Sequence, residues 1–548
     1  MQTWHTPLTP LSFLARSAAV YPQSPALVYG EHSWTFAQLH AAVEERARAL
    51  RAAGVGPGDR VAYMMPNLPE MLIAQFAVPL LDAVLVSINT RLAPEEVRYI
   101  CDHSGASVLV LDTAHWPDIT QVAPELTTVR TIVLAEDDQH ADQPLGRAHP
   151  AGTHVLGLDE LLAGAASDDG PLVWGVEDED QLLSINYTSG TTGRPKGVMY
   201  SHRGAYLNAL SEIHHSGFDH DSVYLWTLPM FHCSGWCTGW ALAAAGGVQV
   251  CLREVRGPVI WDLIDRHGIT HLNGVPTVIT TIMGADEAHD LDHRITITTA
   301  AAPPSPTMLG RMAERGFEIV HVYGLTETYG PYTVCEWQTE WSELDGPTRA
   351  AKLARQGVGM LTVERARVVR TDTDGDELVD VPADATTMGE VVMRGNNVMM
   401  GYYADEAATA KAFAGGWFHS GDLGVLHPDG YIELRDRAKD VVVSGGENIS
   451  TIEVEQAIAA HPDVADAAVV GIPDDRWGER PKAFVVLRDG ADMTDEDLIE
   501  FLRDRLARYK TPRHIEFLDV LPKTSTGKIQ KHALREKEWA GRDSRIQG

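Results

Sequence analysis

A chain of 548 residues is too long for one hydrophobic core, and 44 % apolar with 22 % charged residues is the make-up of an ordinary globular protein of at least two domains. The formal net charge of -31 argues against nucleic acid, which needs a basic face to displace counterions, and against docking on anionic lipid. An anionic substrate must then be caught by local cations working against the global field.

The opening "MQTWHTPLTP" has neither a basic start nor an apolar run, so no signal peptide is expected. In "TFAQLHAAVEERARALRAAGV" apolar residues recur at helical spacing, and the helix should stop at Gly54, with Pro57 beyond it as a breaker. The most apolar window, "IAQFAVPLLDAVLVSI", is interrupted by Gln75, Pro79 and Asp82 and does not read as a membrane span. "ASVLVLD" and "RTIVLAE" read as buried strands. "FEIVHVYGLTET" reads as a strand running into a Gly-Thr-Glu loop, and such strand ends are where open α/β sheets collect ligands. "TDTDGDELVD" is a poor calcium loop, because counted from Asp372 its glycine falls fourth rather than sixth; a hairpin with an Asp-Gly turn fits better.

Beyond about residue 440 the pattern changes. A helix, "IEVEQAIAAH", precedes a strand, "ADAAVVGI"; another strand, "AFVVL", precedes the helix "TDEDLIEFLRDRLARY". This predicts a smaller α+β domain behind a large α/β domain whose helices alternate with largely parallel, multi-sheet strands. Ten lysines are present, and Lys482, Lys510, Lys523, Lys528, Lys531 and Lys537 all follow residue 480. They form either a solvated basic tail or a mobile cationic element that meets polyphosphate. The five cysteines, 101, 233, 237, 251 and 335, are odd in number and unpaired in spacing, as in a reduced cytoplasmic protein. Cys233 and Cys237 beside His232 lack a fourth zinc ligand at matching spacing and read as core or pocket. The final "RIQG" is no peroxisomal address.

"YTSGTTGRPKG", Tyr187 to Gly197, is rich in hydroxyls, glycine and one lysine, yet Pro195 stands where a Walker A loop needs its second glycine. It is a phosphate loop of another kind. "LPMFHCSG", "VYGLTET", "GWFHSGDLG" with "RDRAKDVVVSGGENIS", and "LPKTSTGKIQK" follow it in order. Together these five islands resemble the adenylate-forming (AMP-binding) superfamily across the whole chain. "MFHCSGWC" and "TETYGPYTVCEWQTEW" are most similar to acyl-CoA synthetases of the plant acyl-activating and bacterial short- or medium-chain type.

The resemblance implies an AMP-binding and acyl-pocket domain over 1–436, a hinge over 437–440 and a mobile lid domain over 441–548. It also implies a ligase of fatty acid metabolism that uses ATP, Mg2+ and CoA, with a homodimer as the candidate oligomeric form. A carboxylate is a poor electrophile; joined to AMP as a mixed anhydride it gains a leaving group that a thiol can displace. Thr188, Ser189, Gly190, Thr191, Thr192, Gly193 and Lys196 would wrap the β- and γ-phosphates. Tyr323 would meet the adenine, Thr326 the α-phosphate and Glu327 the magnesium ion, with Gly324 and Ala302 also counted among the cofactor-binding residues. Asp422, helped by Arg437, would accept from the ribose diol. Lys528 would bridge the acid and the α-phosphate, and Lys439 would sit at the hinge. Ser444, Gly445, Gly446, Glu447 and Trp477 would line the pantetheine path, with Tyr509, Lys510 and Arg513 at the CoA nucleotide.

His232, Cys233 and Trp236 fall where the family places a gate and pocket wall. His232 is counted with the catalytic residues, but as an orienting group, because an already ionised acid needs no base. Ala300 and Ala301 replace the family's usual Gly-Gly, and their methyls favour short, medium-chain or compact aromatic acids. Two rivals remain: an adenylating enzyme with another acceptor (a carrier protein, or none, stopping at acyl-AMP), and an inactive nucleotide sensor.

Overall fold

A computed structural model describes residues 4–137, 153–188, 194–300, 306–373, 377–437, 440–444, 447–474, 478–488, 490–503, 505–523 and 529–539. The chain packs as two units, one of residues 1–365 with 394–413 and one of 366–393 with 414–548.

The larger unit holds an eight-stranded and a nine-stranded sheet. Arg60–Met64, Val84–Ile88, Ala106–Asp112, Thr131–Ala135 and Leu182–Thr188 lie parallel in the first. Their near-continuous apolar runs suit strands covered on both faces, and Val86, Ile88, Leu109, Leu111 and Ile185 are fully buried there. Beyond Leu182–Thr188 the order turns antiparallel through Lys196–Ser201 to the edge pair Gly401–Tyr402. The second sheet has a parallel core, to which Phe317–Leu325 adds an antiparallel edge through Gly330–Val334 and Val358–Gly359.

The predicted helix runs from Phe36 to Ala52, started by a reciprocal capping box between Thr35 and Gln38; the Gly54 N–H, two residues past its end, donates to the Arg51 carbonyl. The apolar window becomes a helix, Pro69–Ala77, a 3₁₀ turn, Pro79–Leu81, and the strand Val84–Ile88. Among the described residues no helix is long and apolar enough to cross a membrane.

The smaller unit joins an antiparallel sheet of Arg367–Val369, Met388–Met393, Phe418–Leu426 and Ile432–Arg437 to a second sheet built on the long hairpin Val464–Asp474 and Gly478–Leu487. The helices Thr451–Ala459 and Asp495–Arg503 cover that hairpin through Val454, Ile458, Leu498 and Leu502. The arms of the predicted Asp-Gly hairpin pair through Arg370 N–H to the Val379 carbonyl at 2.8 Å; residues 374–376 lie outside the described residues.

The C-terminal lysines take a role that composition did not suggest. Lys482 pairs with Glu516 and Glu538, Lys510 with Glu453, Lys523 with Asp466 and Lys531 with Glu455. They knit the smaller unit's strands and helices to one another, so the enrichment is largely structural.

Candidate functional site

In the larger unit, the strands Leu182–Thr188 and Lys196–Ser201 form an antiparallel hairpin in which Thr188 stands opposite Lys196. The hairpin presents the glycine-rich loop; Ser189, Gly190, Thr191, Thr192 and Gly193 themselves lie outside the described residues. Lys196 is exposed, its Nζ 4.6 Å from the centre of the Tyr402 ring. The Tyr402 hydroxyl donates to Glu327 Oε1 at 2.9 Å. The loop lysine and the carboxylate assigned to magnesium, 131 positions apart by their numbers, are thus joined through one phenol. Burial, and then the Glu327 charge, push the Tyr402 phenol above its usual range, so it acts only as a donor to that carboxylate.

Glu327 sits in a 3₁₀ turn, Thr326–Thr328, at the end of Phe317–Leu325. Its backbone carbonyl accepts from Met399 N–H, and the Thr326 carbonyl accepts from the Tyr200 hydroxyl at 2.5 Å. Tyr329, in the left-handed region at φ 56°, stacks flat on Tyr200 with ring centres 3.7 Å apart. The turn is therefore rigidly set. Gly324 has a structural reason as well as the predicted one: a Cβ there would lie 1.9 Å from the Gly330 carbonyl oxygen. Tyr323, assigned to the adenine, is buried.

The "HCSGWC" segment, His232–Cys237, forms a turn in which Cys233, Ser234, Gly235, Trp236 and Cys237 all have positive φ, between 44° and 65°. Left-handed backbone costs about 1–2 kcal/mol for each non-glycine residue. A run of five survives only because tertiary contacts over-determine it. Cys233 and Trp236 enter an apolar cluster with Leu228, Val322, Val334 and Met360, against which Ala300 packs. Four sequence-assigned residues thereby converge, since the Cys233 thiol also donates to Thr326 Oγ1 at 3.7 Å. Burial pushes the Cys233 thiol up to about 12 and the Cys237 thiol well above its ordinary value, so neither is a nucleophile near neutral pH. His232 begins the turn, half-buried, its N–H donating to the Pro229 carbonyl. Ala301 and Ala302 lie outside the described residues.

In the smaller unit, Asp422 is buried and stands opposite Arg437 in the ladder of Phe418–Leu426 and Ile432–Arg437, so the two assigned to the ribose are cross-strand neighbours. Ser444 pairs with Glu447 across a tight hairpin and with Gly478 on the neighbouring strand, which brings the "SGGEN" and "RWGE" segments side by side. Tyr509 and Arg513 are exposed, and Lys510 is held by Glu453 at 2.7 Å. Lys439, Gly445, Gly446, Trp477 and Lys528, and the side chains of Arg437 and Glu447, lie outside the described residues.

The family model "AMP-binding enzyme" matches residues 14–403, and its C-terminal domain model matches 453–528. The chain belongs to the AMP-binding enzyme family. It is 42 % identical to an acetate–CoA ligase of Humulus lupulus over 97 % of this chain and 95 % of that one. An acetate/butyrate–CoA ligase of Arabidopsis thaliana, described as peroxisomal, is equally 42 % identical over the same shares. Among solved structures, ATP-bound MatB from Rhodopseudomonas palustris superposes with a TM-score of 0.80 at 27 % identity, covering 96 % of this chain and 98 % of that one. The expected α/β fold and an enzyme of the acyl-CoA synthetase kind therefore hold.

What sequence reasoning missed in this AMP-binding enzyme is Tyr402. It lies on the two-residue edge strand that pairs Tyr402 with Val198, beside Lys196. The doublet "YY" at 402–403 was a visible signal, but nothing local says which distant strand it joins. Tyr200 and Tyr329 were missed for the same reason.

Proposed function

We propose that this AMP-binding enzyme activates a short carboxylic acid with ATP and passes the acyl group to CoA. A carboxylate oxygen attacks the α-phosphorus and pyrophosphate leaves, giving acyl-AMP. The CoA sulfur then attacks the acyl carbon, the C–O bond to AMP breaks, AMP departs with the electron pair and the thiol proton passes to solvent. The reading is carried by the chain of contacts from Lys196 through Tyr402 to Glu327, which sets a cation and a carboxylate beside the hairpin of the glycine-rich loop.

In this reading Lys196 and the loop hold the β- and γ-phosphates, and Thr326 holds the α-phosphate, so the chemistry is mainly positioning and charge neutralisation. Glu327 suits Mg2+: it is a half-exposed oxygen donor at a strand end, oriented by a neutral phenol. Bound there with the nucleotide phosphates, the ion would neutralise phosphate charge. Asp422 and Arg437 serve the ribose. The segments around Ser444 and Gly478 serve the pantetheine arm. A short acid is favoured by the closed apolar cluster around Cys233 and Trp236, and by the acetate and acetate/butyrate ligases among the relatives. A reduced cytoplasmic setting fits five cysteines that are all buried thiols outside any disulfide.

The test is pyrophosphate release from ATP and Mg2+ with a panel of carboxylic acids, followed by AMP release when CoA is added. Release that depends on the acid supports adenylation; none with any acid overturns it, and acyl-AMP indifferent to CoA points to another acceptor. Tyr402→Phe should raise KM for MgATP roughly 10-fold, the scale of one hydrogen bond to a charged group, with little change in KM for CoA. Initial-rate kinetics check this, and an unchanged KM for MgATP means Glu327 is oriented otherwise. We assign the hinge to 437–440: Lys439→Pro should slow thioester formation several-fold more than adenylation, and single-turnover rates of the two half-reactions decide.

A further inference from the structure

The strand Lys196–Ser201 carries more than the loop lysine. Successive side chains of a strand point to opposite faces, so Lys196, Val198 and Tyr200 share one, and Tyr402, which stands opposite Val198, shares it too. That face meets the turn Thr326–Thr328 with two phenols. The Tyr402 hydroxyl donates to the Glu327 carboxylate, and the Tyr200 hydroxyl donates to the Thr326 carbonyl at 2.5 Å. One bond steadies a side chain, the other a piece of backbone.

The Thr326 carbonyl belongs to the peptide that joins Thr326 to Glu327. It accepts a second bond, from the Tyr329 N–H at 3.1 Å, so both its lone pairs are used. A peptide group is planar, and two donors on its oxygen fix the orientation of that plane. The plane in turn sets the backbone torsions on either side of it, those of Thr326 and Glu327. In the proposed reaction these two residues hold the α-phosphate and the magnesium ion, so the plane between them sets the distance and angle at which the two are held.

Tyr200 is itself aimed from beneath. Its ring lies flat on that of Tyr329, the centres 3.7 Å apart. Tyr329 is held at three points: its hydroxyl hydrogen-bonds the Ser184 hydroxyl at 3.0 Å, its carbonyl accepts from Asn208 Nδ2 at 3.0 Å, and the Trp240 ring meets it edge-on at 6.0 Å. Both tyrosines are buried. Burial pushes the Tyr200 phenol well above its ordinary value, so it stays a donor at every working pH. The stack needs only the ring, and a phenylalanine would supply it; the Tyr200 hydroxyl serves the Thr326 carbonyl alone.

We propose that Tyr200 is a positioning residue for adenylation: through the Thr326–Glu327 peptide it fixes the spacing between the α-phosphate ligand and the magnesium ligand, and Tyr329 beneath it sets its aim. This rests on the adenylating reaction proposed above and deepens it. The two phenols on the strand face then have separate tasks. Tyr402 steadies one carboxylate and bears on the binding of MgATP. Tyr200 bears on registration at the phosphorus, where a displacement of about 1 Å costs roughly 10²-fold in rate.

The experiment uses the full chain with Mg2+ and an acid that the parent activates, and compares the parent with Tyr200→Phe and Tyr329→Phe. It measures kcat and KM for MgATP in acid-dependent pyrophosphate release, and kcat/KM for each of the two diastereomers of ATP that carry sulfur on the α-phosphorus. Thermal unfolding with and without ATP reports whether each variant is folded. In Y200F kcat should fall about 10-fold while KM for MgATP stays within about threefold. The preference between the diastereomers should relax at least ~3-fold, because a loosened α-phosphate no longer has its two oxygens told apart. A merely structural defect would slow both diastereomers alike and leave their ratio as it was. Y329F keeps the stack and releases only the Ser184 bond; it should relax the preference about twofold, and it decides the matter if Y200F fails to fold. A kcat within about twofold of the parent, or an unaltered diastereomer ratio, in folded Y200F overturns the positioning role while leaving adenylation in place. A parent that releases no pyrophosphate with any acid overturns both.

Discussion

Replacing Lys528 with alanine should slow acyl-AMP formation by at least ~10²–10³-fold, the scale on which one preorganised charge-stabilising group acts on a reaction centre. The expectation comes from the charge budget of the reaction. Attack at the α-phosphorus brings a carboxylate onto an already anionic centre, in a chain whose net charge of -31 opposes the approach. Most of the other late lysines cannot supply that cation, since Lys482, Lys510, Lys523 and Lys531 are engaged by carboxylates of their own unit. The second half-reaction has no such need, because the anhydride is already made and the thiol attacks carbon. Thioester formation from supplied acyl-AMP should therefore be nearly unchanged in the variant. Equal damage to both half-reactions, measured separately by quenched flow, would remove Lys528 from the adenylation step.

The second large effect is on stability. Glu212, on the helix His202–Ser216, is 1 % exposed; among the described residues Oε1 has no hydrogen-bond partner, and Oε2 has only the Ser216 hydroxyl at 3.5 Å. Burial pushes its carboxyl up to about 8, with Ser216 opposing weakly. The ordinary value of 4.5 applies in the unfolded chain, so between those two values the folded state binds the extra proton. The stability this group contributes is then complete below about 4.5 and is lost as pH rises through about 8. At about 1.4 kcal/mol per pH unit, the loss between pH 5 and pH 8 is roughly 4 kcal/mol. Glu212→Gln keeps the shape and removes the titration, so its urea midpoint should overtake that of the parent progressively toward pH 8. A difference between the two proteins that does not vary with pH would mean Glu212 does not retain its proton.

Legibility followed the reach of each signal. Local signals held: the helix of the "TFAQLHAAVEERARALRAAGV" stretch, which runs from Phe36 to Ala52, and the strand Phe317–Leu325 running into the Thr-Glu turn, both set by residues close together in the chain. The apolar cluster was legible in part, because Cys233 and Trp236 share one island, but the handedness of their turn was not. Four of its five left-handed residues are not glycine, and no propensity favours that backbone. Asn186 and Asn208, which hydrogen-bond Ser234 and Cys237, lie in no local window. Tyr402 escaped for the same reason: its strand is two residues long and finds its partner 204 positions earlier. The late lysines were misjudged because composition reports charge and not its counter-ions.

The interleaved course of the smaller unit bears on how the protein is made. Its antiparallel sheet takes Arg367–Val369 and Met388–Met393 from before the 394–413 segment and Phe418–Leu426 and Ile432–Arg437 from after it. During synthesis Met388–Met393 leaves the ribosome with one flank bare, and Val391, Val392 and Met393, fully buried at the end, stay wet until some thirty more residues emerge. A nascent chain paused in that interval exposes a sticky edge, so pausing there should lower soluble yield.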